Sequence, residues 1–152
     1  MKLKIPAYLL LCVVLLTALT SCHDDDNKGA RTVEGKWQGT LLEAKILVLS
    51  IPVQTRKDDT FNAILEFQGS GNLTVQDDGT TASGRWEQNG ETVTITSDFT
   101  IENINFSGNY TVKERTDTKL TLYVEKEETY KDPDTGAQIT GTVQATFYFV
   151  AI

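Results

Sequence analysis

Alternation with a consistent parity is the feature that most constrains the fold of this chain. From Val33 onward, threonine, valine, isoleucine and aromatic residues alternate with polar ones in segments broken by Gly, Asn and Asp pairs. That pattern marks half-buried β-strands. Four turns each predict a register. Asn89-Gly90 as a two-residue type I′ loop sets Trp86 against Val93 and Gly84 against Ile95, and Asp78-Gly79 sets Val75 against Ala82 and Leu73 against Gly84. A four-residue loop at Pro133-Asp134-Thr135-Gly136, with proline fixing φ at its start and glycine taking a left-handed exit, sets Leu122 against Phe147, Leu120 against Phe149 and Val124 against Ala145. A three-residue loop at Thr116-Asp117-Thr118 sets Val112 against Leu122 and Tyr110 against Val124.

A slip of one residue would turn every side chain to the other face, yet all four turns select the same face. It holds Leu65, Phe67, Leu73, Val75, Trp86, Val93, Ile95, Tyr110, Val112, Leu120, Leu122, Val124, Val143, Ala145, Phe147 and Phe149; Thr, Gln, Lys and Glu hold the other. A meander of about eight to ten antiparallel strands with one apolar face must curl on itself or pack a second layer. No amphipathic helix is visible to supply that layer, so the sequence predicts an all-β, up-and-down meander closed into a barrel. Leu41 to Val53 is apolar on both parities and fits a doubly buried strand or a short buried helix. Pro52 and the following Gln-Thr-Arg-Lys-Asp-Asp are expected to end it in a loop.

The chain begins differently. Lys2 and Lys4, the apolar run Ile5 to Leu19 and the small residues before Cys22 have the layout of a secretory signal, and the run is short of the about 20 residues that span a bilayer. Leu19-Thr20-Ser21-Cys22 resembles the bacterial lipobox, which implies cleavage before Cys22 and lipid on its sulfur. A single acyl chain holds a protein weakly, so stable anchoring implies more than one. The expected organisation is a cleaved signal peptide at 1–21, a lipidated cysteine and acidic tether at 22–32, and one domain at 33–152. Asp24-Asp25-Asp26 behind the cysteine reads as a solvated spacer. It also resembles the export signal of surface lipoproteins in Bacteroidetes-type bacteria, which implies an outer-membrane, surface-exposed location, with the periplasmic face as the alternative.

Removing Lys2 and Lys4 from the formal −7 leaves the mature chain near −9. Acidity of that degree argues against a nucleic-acid partner, whose phosphates need a basic surface. Cys12 leaves with the signal and Cys22 is committed to lipid, so no disulfide is expected and stability must come from packing.

Gly35-Lys36-Trp37 resembles the G-x-W signature of lipocalins. Phe67-Gln68-Gly69-Ser70-Gly71-Asn72-Leu73-Thr74, Gly84-Arg85-Trp86-Glu87-Gln88-Asn89-Gly90, Tyr110-Thr111-Val112 and Leu120-Thr121-Leu122 resemble the small lipocalin-like β-barrel lipoproteins of Bacteroides and relatives. The likeness covers nearly all of 33–152 and implies a lipocalin-like barrel. One departure is specific: in lipocalins an arginine after the last strand caps the first-strand tryptophan, whereas this chain ends Phe147-Tyr148-Phe149-Val150-Ala151-Ile152.

Chemistry is sparse. Catalysis needs groups that titrate or attack near neutral pH and are held together by the fold. The only histidine, His23, belongs to the tether, so Ser-His-Asp, Cys-His and histidine-rich zinc arrangements are not expected, nor is any cofactor or metal. Asp132-Pro133-Asp134 is explained by turn chemistry, and calcium would need six to eight oxygens. The candidate functional set is therefore aromatic. Trp37, Phe67, Trp86, Tyr110, Phe147 and Phe149 either line a cavity for a small apolar molecule or fill the barrel. With a filled barrel, the scaffold reads as a protein-interaction or inhibitor module, and the long hairpin from Leu120 to Phe149, with Lys126, Glu127, Glu128 and Tyr130 near its tip, favours that role. Tyr123 and Tyr148 have outward parity and could form an exposed patch for a partner.

Overall fold

The computed structural model describes residues 31–101, 104–131, 136 and 138–152. The expected signal segment 1–21, Cys22, His23, Asp24 to Asp26 and most of the loop expected at 133–136 lie outside the described residues. Eleven strands run in order: β1 Gly35–Val48, β2 Ile51–Asp58, β3 Ile64–Phe67, β4 Asn72–Asp77, β5 Thr80–Asn89, β6 Thr92–Thr96, β7 Thr100–Ile101, β8 Ile104–Asn105, β9 Gly108–Arg115, β10 Lys119–Lys131 and β11 Gln138–Ala151. All pairings are antiparallel. The sheet order β11-β10-β9-β6-β5-β4-β3-β1-β2, with β11 pairing β1 as well, closes eight strands into a barrel and leaves β2 outside the closure.

Alternation builds this barrel as the parity argument requires. Leu65, Phe67, Leu73, Val75, Val93, Ile95, Tyr110, Leu120, Leu122, Val124, Val143, Ala145, Phe147 and Phe149 are all buried, and Trp86 and Val112 are partly buried against them. Two registers match residue for residue: Val75 faces Ala82 and Leu73 faces Gly84, and Leu120, Leu122 and Val124 face Phe149, Phe147 and Ala145. Asp78 and Gly79 have φ of +46° and +76°, as a type I′ turn demands.

Three expectations need correction. Trp86 faces Ile95 rather than Val93, because Asn89 pairs with Thr92 and the loop is Gly90-Glu91. Of these two only Gly90 has positive φ, at +60°, which suits glycine at the first central position of a type II′ turn. A two-residue shift preserves parity, so the face assignment survives. Between β9 and β10, Val112 faces Leu122 as expected, but a bulge follows Thr121 and pairing stops at Tyr123 with Thr111, short of Tyr110 and Val124. The run 41–53 contains no helix, and the residues after Pro52 form no loop. β1 continues to Val48, Leu49-Ser50 turn, and Ile51–Asp58 returns as β2.

β1 serves two structures in turn. Its first residues, Gly35 to Gln38, pair with β3 in the barrel wall, and from Leu42 onward the same edge pairs with β2. Gly39 marks the change. Its register with β11 slips between Gly39 and Leu41, and a Cβ at Gly39 would lie 2.4 Å from the Phe61 ring. Only glycine lets the segment after β2 press its phenylalanine onto β1 at that bend.

Both barrel ends are sealed. At the N-terminal end the Trp37 indole N–H donates to the Val33 carbonyl (2.9 Å). The Arg115 guanidinium lies 4.5 Å from the Trp37 ring centroid, and its Nε donates to the Thr32 carbonyl (2.9 Å). The cap over Trp37 thus comes from Arg115 at the end of β9. At the other end the β7–β8 hairpin folds inward and buries Ile101, Ile104 and Phe106. Lys126 holds this plug through the carbonyls of Asn105 and Ser107 and is itself paired with Glu128 (2.8 Å).

Candidate functional site

The six aromatic residues singled out in the sequence fall into three places. Tyr110, Phe147 and Phe149 join one cluster with Phe61, Phe99 and Phe106. Phe147 is its hub, with centroid separations of 5.8 Å to Phe61, 5.4 Å to Phe106, 6.2 Å to Tyr110 and 6.4 Å to Phe149. Edge-on contacts predominate around it, the geometry that ring quadrupoles favour. The Tyr110 hydroxyl donates to the Phe106 carbonyl (3.1 Å), and burial raises its pKa. Phe67 and Trp86 form a separate T-shaped pair at 5.3 Å, and Trp37 lies under Arg115 at the N-terminal end. The centre of the barrel is occupied by interlocked rings and aliphatic side chains.

Trp86 is the accessible member of the set. Its indole N–H donates to the Gln68 carbonyl (2.9 Å), and it borders an open hollow of about 560 Å³ with Thr32, Gly69, Gly71, Glu87, Gln88 and Gly90. The adjoining segment is clasped. Gln88 accepts from the Val33 amide (2.8 Å) and donates to the Arg31 and Gly90 carbonyls (3.1 and 2.8 Å), while Arg31 pairs with Asp117 (3.1 Å). The chain therefore enters the domain at a fixed point on this end.

A second hollow, of about 350 Å³, crosses the outer face where β2, β1, β11 and β10 run side by side. Cross-strand rows put Tyr123, Thr146, Glu43 and Lys57 in line, and Glu125, Gln144, Lys45 and Thr55 beside them. Glu125 accepts from the Tyr123 hydroxyl (2.6 Å) and the Gln144 amide (3.0 Å). Glu43 accepts from the Tyr148 hydroxyl (3.1 Å) and pairs with Lys57 (3.3 Å). The hydrogen bond to Glu125 pushes the Tyr123 phenol up to about 12, while burial and then Glu43 raise Tyr148. The outward parity assigned to both tyrosines is found, but their hydroxyls are engaged by carboxylates. A third hollow, of about 460 Å³, is lined by Gln38, Asn62, Ile64, Gln76, Asp77, Asp78, Gly79 and Thr81. Among the described residues no group of three or more His, Cys, Asp or Glu side chains could hold a metal ion.

The least conventional surface is the β1–β2 hairpin. Leu49 is 91% exposed, Ile51 64% and Val53 56%, and of the eight β2 residues only Arg56 and Asp58 are even half-buried. Sequence reasoning missed this feature, because an apolar run reads as buried. The signal for a reversal was Ser50, the one turn-forming residue between Ile46 and Ile51. Compared with protein-family models, curated proteins and solved structures, the chain matches none.

Proposed function

We propose that this chain is a lipid-anchored outer-membrane binding protein. Cys22 carries the anchor, and a lipocalin-like barrel acts as a rigid platform whose outer surface, rather than its interior, meets a protein partner. One observation carries the reading: the place where such a barrel would hold a small apolar molecule is filled by Phe147 and the five aromatic rings around it. Protein interiors are close-packed, and admitting a ligand would mean displacing Phe106 and the plug that carries it. Each buried apolar side chain withdrawn costs about 1.5–3 kcal/mol. Moving Ile101, Ile104 and Phe106 together therefore costs more than modest apolar binding returns.

The clasp on residues 31–33 supports the anchored arrangement by fixing where the tether leaves the domain. A binding role fits the polar surface better than catalysis, since its carboxylates Glu43 and Glu125 are committed to hydroxyl, amide and ammonium partners. Two measurements test the proposal. Cys22→Ser should abolish fatty-acid labelling and release the protein from the membrane fraction; unchanged labelling would remove the anchor. Titration with an apolar fluorophore should give no saturable signal; saturable one-to-one binding, lost on widening or blocking the Phe147 site, would restore the small-molecule reading.

A further inference from the structure

We infer that the hollow at Trp86 is a docking site for an arginine side chain of a protein partner, its guanidinium lying on the indole and meeting the carboxylates of Glu34 and Glu87. The inference rests on the reading that this chain works through its outer surface, and it names the place and the partner's chemistry there. Packing accounts for only part of Trp86. Its ring meets Phe67 in a T-shaped contact at 5.3 Å, and its N–H is held by the Gln68 carbonyl (2.9 Å). Those contacts fix the ring but leave it only partly buried, at the border of an open hollow of about 560 Å³. Gly69, Gly71 and Gly90, in and beside the turns that flank β4 and β5, line the same hollow and contribute no side chain that could cover the indole.

The chemistry of the hollow asks for a cationic donor. Glu87 lines it, and Glu34 stands beside it, since a Cβ on Gly69 would lie 2.7 Å from the Glu34 Oε1. Both residues are exposed, and neither carboxylate has an ion pair among the described residues. Nor does any cation lie over Trp86 among the described residues. The other tryptophan shows the complete arrangement: Trp37 carries the Arg115 guanidinium at 4.5 Å. Trp86 thus has the ring and the counter-charges of such a contact without its cation. A guanidinium fits better than an ammonium, because its plane stacks on an aromatic face while its fork of N–H donors reaches carboxylates at the rim.

Charge selects the source of that group. The chain carries a formal −7, so a basic segment is drawn toward it and an acidic one is repelled. A second copy is a poor source. All four arginines of the chain are engaged at home: Arg31 with Asp117, Arg56 with Asp58, Arg85 with Asn72, and Arg115 with Trp37 and the Thr32 carbonyl. A neutral sugar would stack on the indole without using either carboxylate charge, and a lipid ammonium would offer a point charge with no plane to stack. A basic segment of a different protein uses both features.

The test titrates the full chain by calorimetry at low salt with a capped peptide of three arginines spaced by glycine. Saturable one-to-one binding is expected, weakened about fivefold or more by Trp86→Leu and less by Trp86→Phe. Glu34→Gln and Glu87→Gln should each weaken it about two- to fivefold, whereas Asp78→Asn, the same charge change in a different hollow, should leave it unchanged. The peptide with citrulline in place of arginine should not bind. No saturable signal, equal binding of the citrulline peptide, equal or tighter binding of choline or maltose, an equal loss with Asp78→Asn, or indifference to both Glu34→Gln and Glu87→Gln would each overturn the inference. The two glutamine variants sit at exposed positions, so they decide the matter even if Trp86→Leu fails to fold. Titration of the same samples with an apolar fluorophore reports failure of the filled-barrel reading separately, because that signal arises at the Phe147 cluster.

Discussion

The barrel and the projecting β1–β2 hairpin, a finger of two strands, are built from the same strand and obey opposite rules. In the lower part of β1, burial alternates on either side of the Gly39–Leu41 bulge, with Trp37 and then Leu42 and Ala44 buried and Gln38, Glu43 and Lys45 more exposed. Beyond Ile46 the alternation fades, and β2, paired along its length with β1, buries almost nothing. The barrel spends its apolar residues on closure, plugging both ends and removing its edges. The finger leaves apolar residues in water on a backbone that disfavours them. Hydrophobicity alone therefore does not locate the core of this molecule; closure does, and apolar residues outside it are available for contact.

The largest expected effect tests the barrel half of that contrast. Phe147→Ala should lower stability by about 3–5 kcal/mol, read from the urea midpoint, because Phe147 touches Phe61, Phe106, Tyr110 and Phe149. A loss under 1 kcal/mol would mean a loosely filled interior. Next is the cap: Arg115→Ala should cost about 1–2 kcal/mol by removing the cation–π contact and the bond to the Thr32 carbonyl, with Arg115→Lys recovering only part. An unchanged midpoint would show that the N-terminal end is sealed without it.

A smaller effect is gated by pH. Tyr123 titrates at about 12 in the fold against about 10 when unfolded, so the unfolded chain gives up its proton first. The stabilisation from its bond to Glu125 is complete below pH 10 and is lost as pH rises toward 12. Tyr123→Phe should leave neutral stability within about 1 kcal/mol and flatten part of the alkaline decline; an identical decline would remove that bond from the account. The smallest effect has the opposite sign. Leu49→Asn with Ser50→Gly should raise stability by up to about 1 kcal/mol by relieving the left-handed turn, read from the urea midpoint. Destabilisation would mean that the finger is a structural element.

The barrel was legible because it is periodic. A meander whose turns carry Asp-Gly, Asn-Gly or Pro-x-x-Gly fixes parity by short-range chemistry, and even the two-residue error at Gly90 left every face assignment intact. The plug was harder to see. Phe99 and Ile101 are odd, Ile104 and Phe106 even, and the switch of parity within two-residue strands is too brief for periodicity to register. Arg115 was hidden for a different reason: its contact with Trp37 joins strands distant in sequence, and only closure brings them together. The finger was misread because burial and presentation draw on the same residue types, and the deciding facts, a left-handed Leu49 and an unpaired edge, are tertiary. Five of the six aromatic residues are buried and Trp86 only partly so, but the sequence could not say that Phe61, Phe99 and Phe106 would arrive from outside the meander pattern to fill the space among them.

The claim on which the rest depends is that the barrel holds its own side chains and nothing else. Native mass spectrometry of the protein, purified from its source without denaturant, tests it most directly. The mass predicted is that of the covalent polypeptide species alone. A non-covalent apolar adduct that survives purification and is released on unfolding would contradict it.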